Sequence, residues 1–355
     1  MAVIQLILLA ALAVAPPDTG LPYMVSSNTM KVQSLPDDRI TWMFGDVAIT
    51  HGATVLHGDS AWASSVHGTA TIWGHFRMTD RTAVITGAKA VYTKAEGRAV
   101  VYGAPRASDN GWTMDADSIV FLKPLERSFA YGTVVLADTA GRNRVDGRYC
   151  EYWHDKAYGL LTDRPRFTMV SRDSARPSSF VDADRMEIER GGAEAVGTGN
   201  VQFQGDSVWA SCQRLTYLKQ QGRIVLEQSP RIWQEGSDLS GAVIELHMEG
   251  DSLRSAQARD SVAMRQFAAD SPDTDVITGD SLWADFAQRR ISRARVMDNA
   301  WSRYHQQAAG KMTGRNLAAG RVMEFAFSGG RISRITISTD ARGAYREQER
   351  GTAAP

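Results

Sequence analysis

The stretch that decides the fold is Gly205-Asp206-Ser207-Val208-Trp209-Ala210, because nearly the same residues stand at Gly58-Asp59-Ser60-Ala61-Trp62-Ala63 and at Gly279-Asp280-Ser281-Leu282-Trp283-Ala284. Looser copies lie at Asp117-Ser118-Ile119 and Gly250-Asp251-Ser252-Leu253. Recurrence at intervals of roughly 20–50 residues is typical of proteins in which each unit buries its apolar face against its neighbours. The sequence therefore predicts a repeat protein.

The repeated Gly-Asp-Ser triplet has a simple structural interpretation. Glycine tolerates positive φ, and the side chains of Asp and Ser hydrogen-bond the backbone of a turn. We therefore expect each triplet to form a turn between two strands.

Strand-like segments recur from Arg39 onward, such as Thr69-Ala70-Thr71-Ile72-Trp73 and Ala99-Val100-Val101-Tyr102. Short alternating runs rich in Val, Ile, Thr and aromatic residues, closed by Gly or Asp, predict β-strands, and almost no segment has a helical period. One repeat unit is about 30 residues long and is predicted to contain a strand, a charged turn, a second strand and a closing Gly. The predicted fold class is all-β.

The domain boundaries follow from breaks in this pattern. An apolar run that ends in Ala13-Val14-Ala15 predicts a signal peptide over residues 1–15 and hence export. A polar segment over 16–38 is interpreted as an extended lead-in. A polar insertion around 171–179 separates two predicted repeat domains, 39–170 and 180–339, and a charged stretch over 340–355 predicts a disordered tail.

Composition excludes some functions and leaves others open. The chain of 355 residues has 40 Lys and Arg against 40 Asp and Glu, which argues against a nucleic-acid partner because such proteins present a strongly basic face. A hydrophobic content of 43% is enough for a sizeable core. The two cysteines, Cys150 and Cys212, could pair in an oxidising compartment or remain buried free thiols.

One family resemblance covers most of the chain. Gly199-Asn200-Val201-Gln202-Phe203-Gln204 leading into Gly205-Asp206-Ser207, and Gly45-Asp46-Val47-Ala48-Ile49 leading to Gly58-Asp59-Ser60, resemble the OstA-like family, the periplasmic lipopolysaccharide-transport proteins of LptA type. The resemblance implies an elongated β-jellyroll of two facing sheets, open as a V-shaped groove, and a chain of this length would hold either one long jellyroll or two stacked domains. It also implies that lipopolysaccharide acyl chains bind in the groove and move toward the outer membrane.

The interior of such a groove must be apolar. Because successive side chains of a strand point to opposite faces, one set meets the interior and the other meets solvent. The apolar residues that we predict to line the groove, or to pack as ordinary core, are Val47, Ile49, Ile72, Val84, Ile119, Phe121, Phe203, Val208, Ile224, Ile244, Leu282 and Phe325.

Three tryptophans recur at one position of the repeat, Trp62, Trp209 and Trp283. Either the Trp or its two neighbours must face outward, because they alternate along a strand. One interpretation is that each Trp lies at a solvent-exposed rim of the groove and contacts lipid there. The other is that the Trp rings make ordinary packing contacts in each repeat unit.

Partners follow from the same architecture. A stack of strands has open sheet edges, and such an edge can add a strand from another chain. We expect other OstA-like transport components, or further copies of this chain end to end, as partners in the periplasm, associated with or bridging the inner and outer membranes.

An enzyme is disfavoured by the sequence. The block Gly-Asp-Ser-Leu at 250–253 and 279–282 also names the GDSL esterases, but no histidine here follows an Asp at the spacing their catalytic pair needs. The sequence predicts no catalytic residue, no metal site and no cofactor. The alternative to lipid transport is an exported structural or carbohydrate-binding β-solenoid, which would have a narrow, filled core instead of a wide groove.

Overall fold

The computed structural model describes residues 24–80, 83–109, 111–153, 155–171, 178–189, 193–205, 208–234, 236–250, 252–267, 274–288, 290–308, 311–329 and 331–347. The chain divides into two units, which comprise residues 1–170 with 184–195 (unit 1) and residues 171–183 with 196–355 (unit 2). The predicted signal peptide, Asp206, Ser207 and Asp251 lie outside the described residues.

The described elements are antiparallel β-strands and two short 3-10 helices, Lys123–Leu125 and Lys219–Gln221, which confirms the all-β prediction. The strands of the first half of the chain are β1 Met24–Ser26, β2 Thr29–Ser34, β3 Arg39–His51, β4 Thr54–Ser64, β5 Thr69–Asp80, β6 Ala83–Thr93, β7 Arg98–Tyr102, β8 Arg106–Asp109, β9 Trp112–Asp115, β10 Ser118–Leu122, β11 Arg127–Asp138, β12 Asn143–Trp153, β13 Tyr158–Thr162 and β14 Arg166–Met169. Those of the second half are β15 Ser179–Asp182, β16 Arg185–Glu189, β17 Glu194–Gln204, β18 Trp209–Leu218, β19 Arg223–Glu227, β20 Arg231–Gln234, β21 Ser237–Ser240, β22 Val243–Glu249, β23 Ser252–Phe267, β24 Thr274–Ala287, β25 Arg290–Ala308, β26 Lys311–Ser328, β27 Arg331–Ser338 and β28 Arg342–Glu347.

Each long strand belongs to two layers. The last part of β6 pairs with β7, whereas its first part pairs with β8. Likewise β11 pairs with β10 near its start and with β9 near its end. The chain therefore runs along one layer, turns a corner, runs along the second layer and returns through a hairpin. We call the layer that contains β7 and β10 the front layer and the layer that contains β8 and β9 the back layer, and we use the same names for the corresponding layers of unit 2.

The corners have a recurring backbone conformation. Consecutive residues with positive φ occur at 45–46, 74–75 and 103–104, a single one at Gly132, and further pairs at 163–164, 199–200, 228–229, 260–261, 298–299 and 339–340. The first four start at intervals of 29 residues, which agrees with the repeat length expected from the sequence. Left-handed residues break the pairing register, and the strand bends there as it does at a β-bulge.

One corner requires glycine because the side chain of Asp59 lies directly against it. Gly74 has a φ of 76°, and a Cβ added there would lie 2.2 Å from Oδ2 of Asp59. The same carboxylate lies 2.9 Å from Nδ1 of His75. Asp59 therefore packs directly over the corner made by the neighbouring strand, in a space that only glycine leaves free.

The Gly-Asp-Ser triplets at 58–60 and 279–281 are thus corner elements, where the expectation of a turn between strands was wrong, whereas Gly250 does lie in a turn between β22 and β23. Gly58, Asp59 and Ser60 lie in the middle of β4, and residues 279–281 lie in the middle of β24. At the second site Asn299 donates a hydrogen bond of 2.8 Å to Oδ2 of Asp280, in the position that His75 holds at the first. The repeated acid ties two adjacent strands together where both change layer.

The ends of the repeat pattern differ from the sequence-based boundaries. The strands β1 and β2 pair with β3, so the ordered sheet begins inside the predicted lead-in. At the other end β28 pairs with β26, and the prediction of a disordered tail was wrong for residues 342–347. The alternation of apolar residues did not signal either segment, because all their side chains are exposed.

Candidate lipid-binding interior

The predicted interior residues lie on the buried faces of the two layers, with one exception. Ten of them are buried: Val47, Ile49, Ile72, Ile119, Phe121, Val208, Ile224, Ile244, Leu282 and Phe325. Phe203 is half-buried and pairs with the buried Val181, so it belongs to the same face. The prediction for Val84 was wrong, because Ala83 and Ile85 on either side of it hold the buried positions.

The interior of unit 1 is filled with side chains. Leu56, Phe76 and Ile85 of the back layer and Ile72 and Ile119 of the front layer have exposed fractions of at most 1%. Side chains with so little exposed area are closed off from solvent, as in an ordinary core. These positions of unit 1 therefore do not line an open groove, contrary to what the resemblance implied.

Unit 2 contains an apolar cavity of about 30 Å³. A space of this size holds on the order of two water molecules, so a larger ligand fits only if the two layers move apart. The lining comes from both layers: Leu246, Leu253, Ala256, Leu282, Ala284, Phe286 and Ile291 of the front layer, and Val208, Ile232, Gln234, Ser237, Asp238, Leu239 and Met264 of the back layer. The two layers of unit 2 therefore face each other across it.

The cavity extends to the hairpin ends of the layers, away from the corners. Phe286 pairs with Ile291 beside one hairpin, and Gln234 pairs with Ser237 beside another. These four residues line the cavity together with residues nearer the corners, such as Leu282 and Ile232.

Polar groups are confined to one side of this cavity. The carboxylate of Asp238 has no exposed area and forms ion pairs with Arg231 and with Arg265, the latter at 3.5 Å. Nε of Arg231 donates to Oδ2 of Asp238 at 3.0 Å, and its guanidinium lies 5.2 Å from the centre of the Trp233 ring. A buried carboxylate held by two half-exposed guanidinium groups is balanced within the protein and leaves the cavity wall apolar.

The repeated tryptophans lie on the outer faces. Ala210 and Val208 on either side of Trp209 are buried, whereas Trp209 itself is exposed. Trp283 stacks on His247 at 5.8 Å and donates to Asp285, and Trp62 pairs across strands with Trp42. These contacts resemble packing on the outside of the sheets, and the rim role stays a prediction.

Most of the cavity lining was missed from the sequence. Ala256 and Ala284 are small residues that a search for large apolar side chains passes over, and Phe286 and Ile291 flank a hairpin that interrupts the pattern. The signal that could have found them is the same alternation: Ala256, Leu282 and Ala284 all lie in phase with buried neighbours.

The two cysteines are free and buried. Burial raises the pKa of the Cys150 thiol to about 12 and that of the Cys212 thiol to about 11. Both thiols therefore stay protonated near neutral pH and act as small apolar core groups.

The GDSL block is not arranged for nucleophilic catalysis in the described part of the chain. Ser281 lies in the middle of β24, directly between Arg259 of β23 and Met297 of β25. Neither neighbour can act as the general base that a nucleophilic serine requires. No helix among the described residues is long and apolar enough to cross a membrane.

Comparison with known proteins does not assign this chain to a family. No protein-family model and no curated protein matches this sequence. Among solved structures, the chain is similar to LptH from Pseudomonas aeruginosa, the LptA homologous periplasmic component of the conserved lipopolysaccharide transport device, at 15% identity and a TM-score of 0.30, over 40% of this chain and 94% of that one. A likeness this low carries no conclusion about what this chain binds.

Proposed function

We propose that this chain binds the acyl part of an amphipathic lipid, lipopolysaccharide above all, between the two layers of unit 2. The observation that carries the proposal is the apolar cavity of about 30 Å³ between the two layers, which marks where their side chains pack least closely and which reaches their hairpin ends. We propose that the layers separate there around an acyl chain, and each methylene group buried between them then contributes about 0.8 kcal/mol.

The proposal places the protein in the periplasm, where it passes lipid toward the outer membrane through contact with like domains. The strands at the ends of the described chain support such contacts. In the described residues β1 and β2 pair with β3, and β27 and β28 pair with β26, each on one side. Met24, Met30 and Val32 are large apolar residues exposed on the first of these edges. A strand of another chain, of the same or a related protein, could extend the sheet there.

A photo-crosslinking experiment tests the lipid site. The crosslinking amino acid is placed at Ala256, which lines the cavity, and at the adjacent Gln257, which lies on the outer face. A second matched pair, Ala70 and Thr71, tests the filled interior of unit 1. Cells that make lipopolysaccharide are irradiated, and the purified protein is probed for lipopolysaccharide adducts.

We expect an adduct at position 256 and none at 257, 70 or 71. Circular dichroism and protease resistance of each purified variant show that it is folded. A folded variant at 256 without adduct, or equal adducts at 256 and 257, would contradict the proposal. Repeating the irradiation in vitro with purified lipid A separates binding of the acyl chains from binding of the sugar part.

A further inference from the structure

We propose that the outer face of the front layer in unit 1 binds an extended, neutral polysaccharide by stacking sugar rings on a row of four exposed aromatic side chains. The row, which we call the aromatic ladder, consists of Phe44, Trp73, Tyr102 and Tyr131. Each is the last residue before a corner, and each follows the previous one by 29 residues. This inference is independent of the lipid cavity in unit 2.

Cross-strand pairing places the ladder in one straight row. Ser60 lies directly between Phe44 and Trp73, Lys89 between Trp73 and Tyr102, and Ser118 between Tyr102 and Tyr131. Residues directly opposite each other on neighbouring strands project from the same face. The ring-bearing strands therefore alternate with strands that carry a hydroxyl or an ammonium group.

The spacing of the rings is fixed by the sheet. Neighbouring strands lie about 4.8 Å apart, so rings on every second strand recur at about 10 Å. Two sugar units of an extended β-linked glycan advance by a similar length. A glycan that runs across the strands would meet an aromatic ring at every second sugar and a polar side chain between them.

The chemistry of the row suits a sugar chain. The rings expose between 37% and 44% of their surface, which is high for aromatic residues in the middle of a sheet. A pyranose ring has one face of C–H groups, which packs on an aromatic ring, and hydroxyl groups at its edge, which need hydrogen-bond partners. Ser60, Lys89 and Ser118 can supply those partners.

Other classes of partner fit less well. A single-stranded nucleic acid needs a basic groove beside its stacking platform, and Lys89 is the one cation in the described row from Phe44 to Tyr131. A membrane surface needs a continuous apolar face, but the polar side chains of Ser60, Lys89 and Ser118 separate the rings of the ladder. Protein interfaces concentrate their binding energy in a central cluster and not in an evenly spaced line.

The test is binding of oligosaccharides to the purified full chain. Isothermal titration or a glycan panel is run with cello-, chito-, xylo- and manno-oligosaccharides from the disaccharide to the octasaccharide. We expect affinity to rise with length until the glycan spans all four rings. Replacing one central ring, in Trp73→Ala or Tyr102→Ala, should weaken binding about two- to tenfold, because one stacked ring contributes roughly that much.

Matched variants keep the test interpretable. Trp301→Ala removes a comparably exposed ring of unit 2 and should leave sugar binding unchanged. Tyr102→Phe keeps the ring and should bind nearly as the wild type does. The ladder proposal is overturned if no member of the panel binds the folded protein, if affinity does not depend on glycan length, or if Trp301→Ala weakens binding as much as Trp73→Ala.

Discussion

The two units are built on one pattern, but they differ on both faces of their sheets. Before its corners unit 1 has four aromatic residues, Phe44, Trp73, Tyr102 and Tyr131, and then Thr162, whereas unit 2 has no aromatic residue there but Thr198, Glu227, Arg259, Met297 and Ser338. Inside, both units bury large side chains with almost no exposed area, and unit 2 in addition has a small apolar cavity between its layers. The corners set the backbone and therefore the fold, whereas side chains at equivalent positions set what each unit can bind.

The outer face of unit 2 shows the difference in chemical terms. Glu245 is buried beneath Arg223 and Arg259, with ion pairs to both. Charged groups that are paired within the sheet leave little for a ligand to contact. The exposed rings of unit 1 are not tied up in ion pairs of this kind, although Tyr131 packs against Tyr149 with the ring centres 5.4 Å apart, and the two surfaces therefore carry different proposals.

The largest expected effect separates the filled interior from the cavity. Leu56 in unit 1 and Leu282 in unit 2 are both fully buried leucines, but only Leu282 lines the cavity. We expect Leu56→Ala to cost about 4–5 kcal/mol of stability and Leu282→Ala about 2–3 kcal/mol, because a side chain beside empty space has fewer contacts to lose.

Hydrogen exchange followed by mass spectrometry measures this, because peptides from each unit report its opening separately. Each variant should increase exchange in its own unit. Equal losses for the two substitutions would mean that the cavity in unit 2 closes in solution.

A smaller effect comes from the opposite change, alanine to leucine. Ala70 in unit 1 and Ala256 in unit 2 are both buried, and Ala256 lines the cavity. Ala70→Leu should destabilise unit 1 by about 1–3 kcal/mol through overpacking, whereas Ala256→Leu should be neutral or stabilise unit 2 by up to about 1 kcal/mol. The added side chain should also lower lipid capture, which crosslinking at Leu282 in the same variant measures. Full capture by a stable Ala256→Leu protein would place the lipid elsewhere.

Periodicity predicted the strands because the interior alternates within each layer, as at Leu282 and Ala284 of β24. It did not predict the corners, because Gly-Asp-Ser is equally compatible with a turn, and only the packing of Asp59 over Gly74 distinguishes the two.

The cavity could not be predicted either. Whether facing side chains fill a space depends on the separation of two layers, which is set by residues far apart in sequence. The aromatic ladder could have been identified from the sequence, because its 29-residue interval is visible once the corners are known.

The smallest expected effect compares the two thiols. Burial, with a further contribution from Glu151, raises the pKa of Cys150 to about 12, and burial raises that of Cys212 to about 11. Only the thiolate reacts with iodoacetamide, so Cys212 of unit 2 should be alkylated faster than Cys150 of unit 1 at pH 8, and both rates should rise with pH. Mass spectrometry of the two cysteine peptides over time measures the rates, and in urea the two should become equal. Faster labelling of Cys150 in the folded protein would show that unit 1 opens more readily than unit 2, which would reverse the comparison between a filled and a partly empty interior.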